Sequence, residues 1–307
     1  MRMIAMGECM IEVSGHFGAN AHLGFAGDSF NTALYLARLG GDVSYATALG
    51  DDVWSNQMRA AWGAEGIGLG HVLTVPEKLP GLYAISTDNA GERSFSYWRK
   101  DSAARLFFSA SGANRVLDAI ASCDLFYCSG ITLSLFDSAG RQRLYDAARQ
   151  ARANGATVAF DPNYRPAGWA SADEAKAAIV EFTPAVSIAL PTFDDEQRLF
   201  GDADPAATLD RWTAAGVSEV VVKNGTDDVF YDILGSRGRL PVSAIPAVDT
   251  TGAGDSFNAG YLNARTRGYD ANRSISLGAS LSAHVVQYRG AITPRSAFDE
   301  YMKDAAL

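Results

Sequence analysis

The sequence predicts an α/β fold: a doubly wound, mostly parallel β-sheet flanked by helices, with a small β-sheet beside it. The main observation is that strand-like apolar runs alternate with helix-like stretches over most of the chain, which is the rhythm of successive βαβ units. Two other stretches alternate polar and apolar residues instead, as hairpin strands do. The 307 residues are enough to bury a full core without disulfides, in one large domain or two smaller ones.

The N-terminal part of the chain begins with a predicted strand at residues 3–7 and a helix at residues 29–39, closed by Gly40 and Gly41. The βαβ rhythm is clearest from Val116 onward. Further strands are predicted at residues 125–128, 157–160, 187–190, 219–223 and 230–233. Further helices are predicted at residues 138–154, 172–182, 206–215, 255–267 and 271–288. Residues 240–248 are expected to form a strand or an extended segment.

The two alternating stretches, residues 10–25 and 71–99, are predicted to form the small β-sheet. The second contains the turn residues Asp88-Asn89-Ala90-Gly91, which favour a hairpin. A small sheet of this kind over one edge of the main domain could act as a lid that covers a ligand and excludes water. The alternative is a β extension used only for dimerisation, and both can hold together. We expect residues 1–307 to form a single domain with this lid.

Composition narrows the classes of partner. Lys and Arg number 26 against 35 Asp and Glu, so the net charge of −9 argues against nucleic acid or an anionic membrane. Cys9, Cys123 and Cys128 lie in apolar stretches without metal-type spacing, which predicts buried free thiols, no disulfide and no zinc site. No leader-like start is present, and no apolar run reaches the ~18 residues that cross a bilayer. We expect a cytoplasmic protein.

Residues 249–258 are the most informative segment, because two glycines and a carboxylate stand where a helix is predicted to begin. Backbone N–H groups at a helix N-terminus have no intrahelical partner, and small residues let an anion such as phosphate come close to them. A carboxylate there would repel the anion unless Asp255 takes a proton from a hydroxyl that attacks phosphorus. The alternative is that Asp255 only caps the helix.

Neither of the common phosphate-loop motifs, Gly-x-x-x-x-Gly-Lys-Ser/Thr and Gly-x-Gly-x-x-Gly, occurs in the chain, which disfavours a P-loop enzyme or a nicotinamide-dependent dehydrogenase. The run Asp249-Thr250-Thr251-Gly252-Ala253-Gly254-Asp255 resembles the C-terminal signature of the ribokinase family of carbohydrate kinases, also called the PfkB family. The run Gly24-Phe25-Ala26-Gly27-Asp28-Ser29-Phe30-Asn31 resembles its N-terminal signature. This resemblance implies a ribokinase-like fold.

In the family, the N-terminal signature touches the sugar hydroxyls, which implies that Gly27, Asp28 and Asn31 bind substrate. Gly27 would allow close backbone approach, while Asp28 and Asn31 supply hydrogen-bond acceptors and donors. The alternative is that Asp28 or Ser29 merely caps the helix, and for Ser29 we favour the cap.

Over nearly the whole chain, the resemblance narrows to kinases of 2-keto-3-deoxygluconate. It is carried by the segments at residues 79–83, 91–99, 129–131, 161–166 and 287–291. A sugar acid of this kind brings a carboxylate, which needs cationic or hydroxyl donors. The resemblance implies four such donors: Tyr83, Tyr97, Arg99 and Arg165. Tyr97 and Arg99 are two apart on a predicted strand and so share a face. The alternative for Arg99 is a solvent-facing residue that pairs with Glu92 or Asp101.

The resemblance also implies ATP and Mg²⁺, with K⁺ as a possible third cofactor. The nucleotide-binding residues that it implies are Asn163, Lys223, Gly225, Thr226, Gly252 and Gly254. Lys223 could instead be an ordinary edge lysine. The family's Asn-x-x-Glu motif, which organises water around magnesium, maps to residues 192–195. Here Asp195 could still order metal-bound water, whereas Thr192 lacks the amide of Asn. Asp249 would border a monovalent cation.

The implied mechanism assigns catalysis to Asp255 and to the turn Gly252-Ala253-Gly254. Asp255 would accept the proton of the substrate's 6-hydroxyl as that hydroxyl attacks the γ-phosphorus of ATP, giving ADP and 2-keto-3-deoxy-6-phosphogluconate. The alternatives are a fructokinase or ribokinase acting on a neutral sugar, and a non-catalytic sugar sensor on the same scaffold. Because the lid of this family often pairs between subunits, we expect a homodimer or a larger homo-oligomer.

Overall fold

A computed structural model of the protein describes residues 1–15, 21–87, 93–242 and 245–304. Its strands are β1 (Arg2–Met6), β2 (Met10–Ser14), β3 (His22–Ala26), β4 (Asp42–Leu49), β5 (Val72–Thr74), β6 (Leu82–Thr87), β7 (Arg93–Trp98), β8 (Leu125–Ser129), β9 (Thr157–Asp161), β10 (Ile188–Ala189), β11 (Glu219–Val222), β12 (Val229–Ile233) and β13 (Ser236–Leu240). Its α-helices are α1 (Asp28–Arg38), α2 (Val53–Ala64), α3 (Ala113–Ala121), α4 (Gly130–Ser134), α5 (Ser138–Ala153), α6 (Ala172–Phe182), α7 (Phe193–Phe200), α8 (Pro205–Ala214), α9 (Ala253–Thr266), α10 (Ala271–Val285) and α11 (Arg295–Asp304). Short 3₁₀ helices cover Ala103–Ser109, Pro166–Gly168 and Thr183–Ala185.

The large sheet has the order β13-β12-β11-β10-β9-β8-β1-β4-β5 within the described ranges. From β11 to β5 every neighbouring pair is parallel. At the other end of the sheet, the pairs β11–β12 and β12–β13 are antiparallel. In the centre, Ile4 of β1 lies opposite Ser44 of β4 on one side and Phe126 of β8 on the other. The predicted fold class, a doubly wound and mostly parallel sheet, is confirmed.

Helices cover both faces of this sheet. Successive residues of its central strands therefore point into two different hydrophobic cores. Ile4 and Phe126 belong to one buried cluster, whereas Ala5 and Tyr127 belong to the cluster on the opposite face. Strands buried on both sides are continuously apolar, and every residue of β8 is buried, as a central parallel strand requires.

The small sheet has the order β3-β2-β6-β7, so both predicted segments contribute to it. We call these four strands the lid. The predicted boundary at residue 71 was wrong: Val72–Thr74 forms β5, which pairs in parallel with β4 at the edge of the large sheet. The predicted turn at residues 88–91 lies outside the described residues.

Two other boundaries differ from the sequence prediction. The strand near the glycine turn is Ser236–Leu240, paired with β12, so it ends where the predicted strand or extended segment at 240–248 begins. The helix predicted from residue 29 begins at Asp28, and its N-cap is Gly27. The side chains of all three cysteines are buried, as predicted. Among the described residues, no helix is both long and apolar enough to cross a membrane.

Candidate active site

Polar side chains gather where the parallel strands β8, β9 and β11 end, at the N-termini of α1 and α9. Crevices outside the carboxyl ends of strands are where open α/β sheets bind ligands. The residues that meet there are Asp28, Asn31, Asp161, Asn163, Lys223, Asp255 and Asn258. Five of these seven were predicted from the sequence as site residues.

The glycine turn at the start of α9 has the geometry of an anion site. Gly252 is the N-cap of the helix and has the left-handed backbone angles φ 77° and ψ 4°, without a side-chain cap. A Cβ at Gly252 would lie 2.9 Å from the Cα of Ala291, so only glycine fits without displacing its neighbour. The first turn thus keeps backbone N–H groups uncapped by side chains, at the positive end of a 14-residue helix.

Asp255 lies in this first turn and does not cap it, so the capping interpretation was wrong. Its Oδ2 accepts a hydrogen bond from Asn31 Nδ2 at 2.8 Å, which joins α9 to α1. Solvent reaches part of Asp255, but protein atoms surround it closely. This burial, and then the negative charge of Asp28, raise the pKa of Asp255 to about 8. Such a carboxyl group can take up a proton near neutral pH.

A second set of hydrogen bonds connects Asp28 to the end of β9. Asn163 Nδ2 donates to Asp28 Oδ2 at 3.0 Å, and the backbone N–H of Asn163 donates to Asp161 Oδ1 at 3.1 Å. Asn163 has a φ of 36°, a conformation that asparagine tolerates better than most residues. Burial raises the pKa of Asp28, and the charge of Asp161 adds to that increase. Asn163, predicted to bind nucleotide, therefore directly contacts a predicted sugar-binding residue.

Lys223 is a buried member of the cluster. Its Nζ donates to Asp161 Oδ2 at 2.7 Å and to Asn258 Oδ1 at 3.0 Å, and only 7% of the residue is exposed. The interpretation as an ordinary edge lysine was wrong, since its segment follows β11, which lies between β10 and β12. Lys223 Nζ is 3.5 Å from the position that a Cβ on Gly254 would take, so its charge lies beside the glycine turn.

Asp161 and Asn258 were missed as site residues. Asn258 Nδ2 donates to Asp161 Oδ2 at 2.7 Å and to Tyr127 Oη at 3.1 Å, so it fixes the orientation of the carboxylate from α9. For Asp161 a signal existed in the sequence, because a carboxylate directly after an apolar parallel strand falls at the edge where ligands bind. Asn258 had no comparable signal, because its buried position one turn into α9 becomes visible only in the folded chain.

Gly27 is required for packing as well as for its predicted place near the sugar. A Cβ there would lie 2.1 Å from the carbonyl oxygen of Glu8, so α1 can meet the end of β1 only through glycine. The favoured interpretation of Ser29 as the cap was wrong: it lies inside the helix, fully buried, and its Oγ is 3.0 Å from Tyr45 Oη. Asp28 is likewise the first helical residue rather than the cap.

The lid presents an aromatic row. Tyr83 of β6 and Tyr97 of β7 are register partners with ring centroids 6.0 Å apart, and Phe95 stacks on Tyr97 at 6.4 Å. Tyr97 is 49% exposed, whereas Tyr83 is buried and its hydroxyl donates to the Glu12 carboxylate. Burial raises the pKa of Tyr83, which therefore keeps its proton for this bond. The hydroxyl of Tyr83 is thus already engaged within the lid.

Arg99 follows the last residue of β7 and pairs with Glu8. Its Nη2 lies 2.5 Å from Glu8 Oε2, and 19% of its side chain is exposed. The alternative interpretation, a solvent-facing pair, was wrong for Asp101, which binds Lys78 at 2.7 Å instead. The other proposed partner, Glu92, lies outside the described residues.

Arg165 and Asp195, predicted for different roles, form an ion pair. Arg165 Nη1 lies 2.8 Å and 2.9 Å from the two carboxylate oxygens of Asp195, and 54% of the Arg165 side chain is exposed. Burial raises the pKa of Asp195, while the charge of Arg165 opposes that increase. Thr192 is the N-cap of α7 but makes no capping bond through its side chain.

Asp249 organises the loop before α9. Its Oδ1 accepts from the Thr251 N–H at 2.8 Å and its Oδ2 from the Gly290 N–H at 2.7 Å. Gly225, with a φ of 60°, and the exposed Thr226 lie in the turn that follows Lys223. No cluster of three or more His, Cys, Asp or Glu side chains within the described ranges has the geometry of a metal site.

An uncapped glycine turn at a helix N-terminus, beside a carboxyl group with a raised pKa and a buried lysine, is an arrangement that suits the class of phosphate-transferring enzymes. Comparison with known families identifies the family within this class: residues 3–297 match the pfkB family carbohydrate kinase profile, and the chain belongs to that family. The protein is therefore a kinase.

Several curated relatives bear the name 2-dehydro-3-deoxygluconokinase, which is a synonym for a 2-keto-3-deoxygluconate kinase. The protein from Dickeya dadantii is 43% identical over 300 residues, which cover 95% of this chain and 96% of the relative. The protein from Haemophilus influenzae is 38% identical over an alignment of 316 positions, gaps included, that covers 99% of each chain.

Solved structures show the same fold. A PfkB protein from Polaromonas is 28% identical, with a TM-score of 0.83 over 97% of this chain and 98% of that one. A putative ribokinase of E. coli in complex with ATP and Mg²⁺ is 20% identical, with a TM-score of 0.83 over 99% of each chain. A fructokinase variant from Vibrio cholerae, bound to fructose, ADP and a potassium ion, is 21% identical, with a TM-score of 0.83 over 98% of this chain and 97% of that one.

Proposed function

We propose that the protein transfers the γ-phosphoryl group of ATP to the 6-hydroxyl of 2-keto-3-deoxygluconate, giving 2-keto-3-deoxy-6-phosphogluconate and ADP. The observation that carries this proposal is the position of Asp255, a carboxyl group with a pKa of about 8 in the first turn of a helix whose N-terminus is free of side-chain caps. The names of the 38–43% identical relatives support the choice of sugar acid.

Asp255 is the proposed general base. The hydrogen bond from Asn31 engages Oδ2 and fixes the orientation of the carboxyl group, so Oδ1 is the oxygen proposed to receive the proton of the attacking hydroxyl. The raised pKa has two consequences. Asp255 holds an accepted proton more firmly than an ordinary aspartate, and in its protonated form it does not repel the phosphate groups beside it.

The glycine turn and Lys223 are the proposed phosphate contacts. The N–H groups of Gly252 and Gly254 would stabilise the charge that develops on the transferred phosphoryl group, with Lys223 behind them as a fixed positive charge. The N–H of Ala253 donates to the Thr250 carbonyl oxygen at 3.2 Å and would have to leave it to join them. Magnesium, when bound with ATP, would neutralise charge on the phosphate oxygens. For the nucleotide itself, the open turn containing Gly225 and Thr226 lies next in the chain to Lys223 and is the proposed contact.

The sugar acid is proposed to lie between α1 and the lid. Gly27, Asp28 and Asn31 would contact its hydroxyl groups, and Asn163 supports this contact through its bond to Asp28 rather than through the nucleotide. Tyr97, Arg99 and Arg165 are the proposed partners of its carboxylate, because each keeps an exposed part. Tyr83 contributes its ring to the aromatic row while its hydroxyl remains with Glu12.

Two residues are proposed to act on cations. Asp195 would order metal-bound water only when its ion pair with Arg165 rearranges, because both carboxylate oxygens are engaged by that guanidinium. Asp249 holds the loop between Thr251 and Gly290 through backbone N–H groups, and we propose that this loop, rather than the carboxylate alone, borders a K⁺ ion.

The protein is further proposed to act as a homodimer or larger homo-oligomer through its lid. Four large apolar side chains on the two outer lid strands β3 and β7 are between 44% and 62% exposed: Leu23, Phe95, Tyr97 and Trp98. Exposed strand edges with apolar side chains are usually paired or covered in native proteins. The buried thiols of all three cysteines fit the cytoplasm as the proposed compartment.

The experiment that tests the function is ADP release with Mg-ATP and four substrates: 2-keto-3-deoxygluconate, its galactonate epimer, fructose and ribose. We expect kcat/KM for the keto-deoxy acids to exceed that for the neutral sugars by more than ~100-fold, because only an acid engages the arginines. A preference for fructose or ribose would leave the kinase intact and overturn the substrate assignment. No turnover with any sugar would favour a non-catalytic sugar sensor.

A further inference from the structure

We infer that Glu8 is a positioning residue that holds the guanidinium of Arg99 at the base of the lid, in place to receive the carboxylate of the substrate. The inference rests on the proposed function, since Arg99 has this task only in a kinase of a sugar acid. Glu8 itself is too deeply buried to touch a ligand, because its side chain has no exposed surface.

The position of Glu8 in the chain places it where the large sheet meets the lid. It lies between the last residue of β1, Met6, and the first residue of β2, Met10. Arg99 directly follows β7, the outer strand of the lid, so the contact between Glu8 and Arg99 at 2.5 Å connects the outer strand to the base. A movement of the lid relative to the large sheet therefore has to move or break this ion pair.

Two glycines show how closely Glu8 is enclosed. A Cβ at Gly81 would lie 2.8 Å from Glu8 Oε1 and 3.1 Å from the Cβ of Arg99. The Glu8–Arg99 ion pair therefore packs against position 81, where the residue must be small. On the backbone side, the carbonyl oxygen of Glu8 lies 2.1 Å from the position of a Cβ on Gly27. Glu8 thus lies between Arg99 and the segment proposed to bind the sugar hydroxyls.

The ion pair with Glu8 leaves N–H donors of the Arg99 guanidinium available for a ligand. The contact involves Nη2, while Nε is buried without a hydrogen-bond partner, and neither oxygen of Glu8 is aligned for a hydrogen bond within the described part of the chain. A guanidinium has five N–H donors, so Arg99 can hold a second carboxylate while it stays in contact with Glu8. A carboxylate that is buried beside a single cation holds that cation in place, because separating them leaves a buried charge unpaired.

Without Glu8, Arg99 has no anionic partner among the described residues and is free to turn toward solvent. We therefore expect Glu8→Ala to raise KM for the sugar acid by ~10–100-fold, with kcat and KM for ATP changed by less than ~3-fold, as for a lost ground-state contact. Glu8→Asp keeps the carboxylate and should restore most of the affinity, whereas Glu8→Gln keeps the shape but loses the charge and should raise KM nearly as much as Glu8→Ala. Cys9→Ala, a substitution of the next residue, which is also buried, is the control and should leave all three constants unchanged.

A double-mutant cycle with Arg99→Ala separates this role from general structural damage. If Glu8 acts through Arg99, adding Glu8→Ala to Arg99→Ala should raise KM by less than ~2-fold, and the double variant should melt at a higher temperature than Arg99→Ala, which leaves Glu8 buried and unpaired. Independent, multiplying effects on KM would overturn the inference. If Glu8→Ala does not fold, the same cycle is run with Glu8→Gln.

Failure of the proposed function has a different signature. In that case Arg99→Ala alone leaves the preference for keto-deoxy acids over fructose unchanged, whatever Glu8 does. A selective effect of Arg99→Ala combined with a silent Glu8→Ala would retain the proposed function and refute the role of Glu8.

Discussion

Among single residues, Asp255 shows how position changes the chemistry of a side chain. An aspartate in water is ionised above about pH 4, but burial and the charge of Asp28 raise the pKa of Asp255 to about 8. Asp28 in turn is held by Asn163, and Asp161 by Lys223 and Asn258. Three carboxyl groups thus lie close together beside one lysine, and this excess of negative charge favours a proton on one of them.

The first prediction concerns the pH dependence of the reaction. Because Asp255 must be ionised to accept a proton, kcat/KM for the sugar acid should rise with pH and level off above about 8. Asp28→Asn removes the second cause of the raised pKa and should move this rise to lower pH, whatever it does to the absolute rate. Profiles measured at saturating ATP test this, with the exposed Asp118→Asn as a control that should keep the wild-type midpoint. Identical midpoints in all three proteins would contradict the prediction.

The second prediction is that Asp255→Asn loses activity but gains stability. Turnover should fall by ~100-fold or more with KM for ATP nearly unchanged, as expected for loss of a general base. Since the pKa is higher in the folded than in the unfolded chain, the stability that a protonated Asp255 contributes is lost as pH rises through about 8. The variant, which stays neutral, should therefore melt at a higher temperature than wild type at pH 8.5, with a smaller difference at pH 5.

Thermal melts at the two pH values check this second prediction. An equal difference at pH 5 and pH 8.5 would show that the folded-state pKa of Asp255 is not raised, and full turnover would remove Asp255 from the mechanism.

The site residues that the sequence predicted are those marked by a local motif. Asp255 and Asn31 lie in two such motifs, although 224 residues separate them in the chain and a hydrogen bond joins them in the fold. Partners determined only by tertiary packing were missed: Arg99 pairs with Glu8, while Asp101 binds Lys78, and Arg165 pairs with Asp195. A side chain's neighbours across the fold are not encoded in its own segment.

At the scale of elements, the start of α9 depends on backbone conformation. Gly252 adopts a left-handed φ of 77° and packs against Ala291, so the turn both aims its N–H groups and contacts the loop held by Asp249. The predicted element boundaries agreed with the structure where a glycine or a clear alternation of polar and apolar residues marked them, as at Gly40 and in the lid. They failed at residues 72–74, because three residues are too few to show which of two sheets they join.

The third prediction compares two left-handed glycines. Gly252→Ala and Gly268→Ala each place a Cβ at a φ near 80°, which costs ~1–2 kcal/mol of stability in either case. A Cβ at Gly268 meets nothing within 4 Å, whereas one at Gly252 lies 2.9 Å from Ala291. We expect Gly268→Ala to keep full activity and Gly252→Ala to lose ~100-fold in kcat/KM for ATP, because its N–H groups no longer point correctly. Equal activity in the two variants, measured by ADP release, would disprove the phosphate role of the turn.

At the scale of the whole molecule, the site is located by topology. In the large sheet, β4 and β5 lie on one side of β1 and β8 lies on the other, so the strand order reverses at β1. The loops that follow the strands on the two sides of such a reversal diverge, and a site there lies between them. The lid adds β2, which is separated from β1 by three residues, and β6 and β7 from much later in the chain. Its outer strands β3 and β7 have no strand neighbour on their outer side in the described chain.

The last prediction is that these outer lid strands pair with a second copy of the chain. Leu23 on β3 is 50% exposed in the monomer, and burying such side chains between two lids would remove apolar surface from water. We expect a mass of twice 32.6 kDa by gel filtration with light scattering, and Leu23→Glu should shift it to the monomer. Val180→Glu is the matched control, because Val180 is a 60% exposed apolar residue of α6, outside the lid, and should leave the dimer intact. A monomeric wild-type protein at micromolar concentration would refute the pairing.

Since β7 carries Tyr97 and Arg99 directly follows it, the monomeric variant should show a raised KM for the sugar acid with little change in KM for ATP.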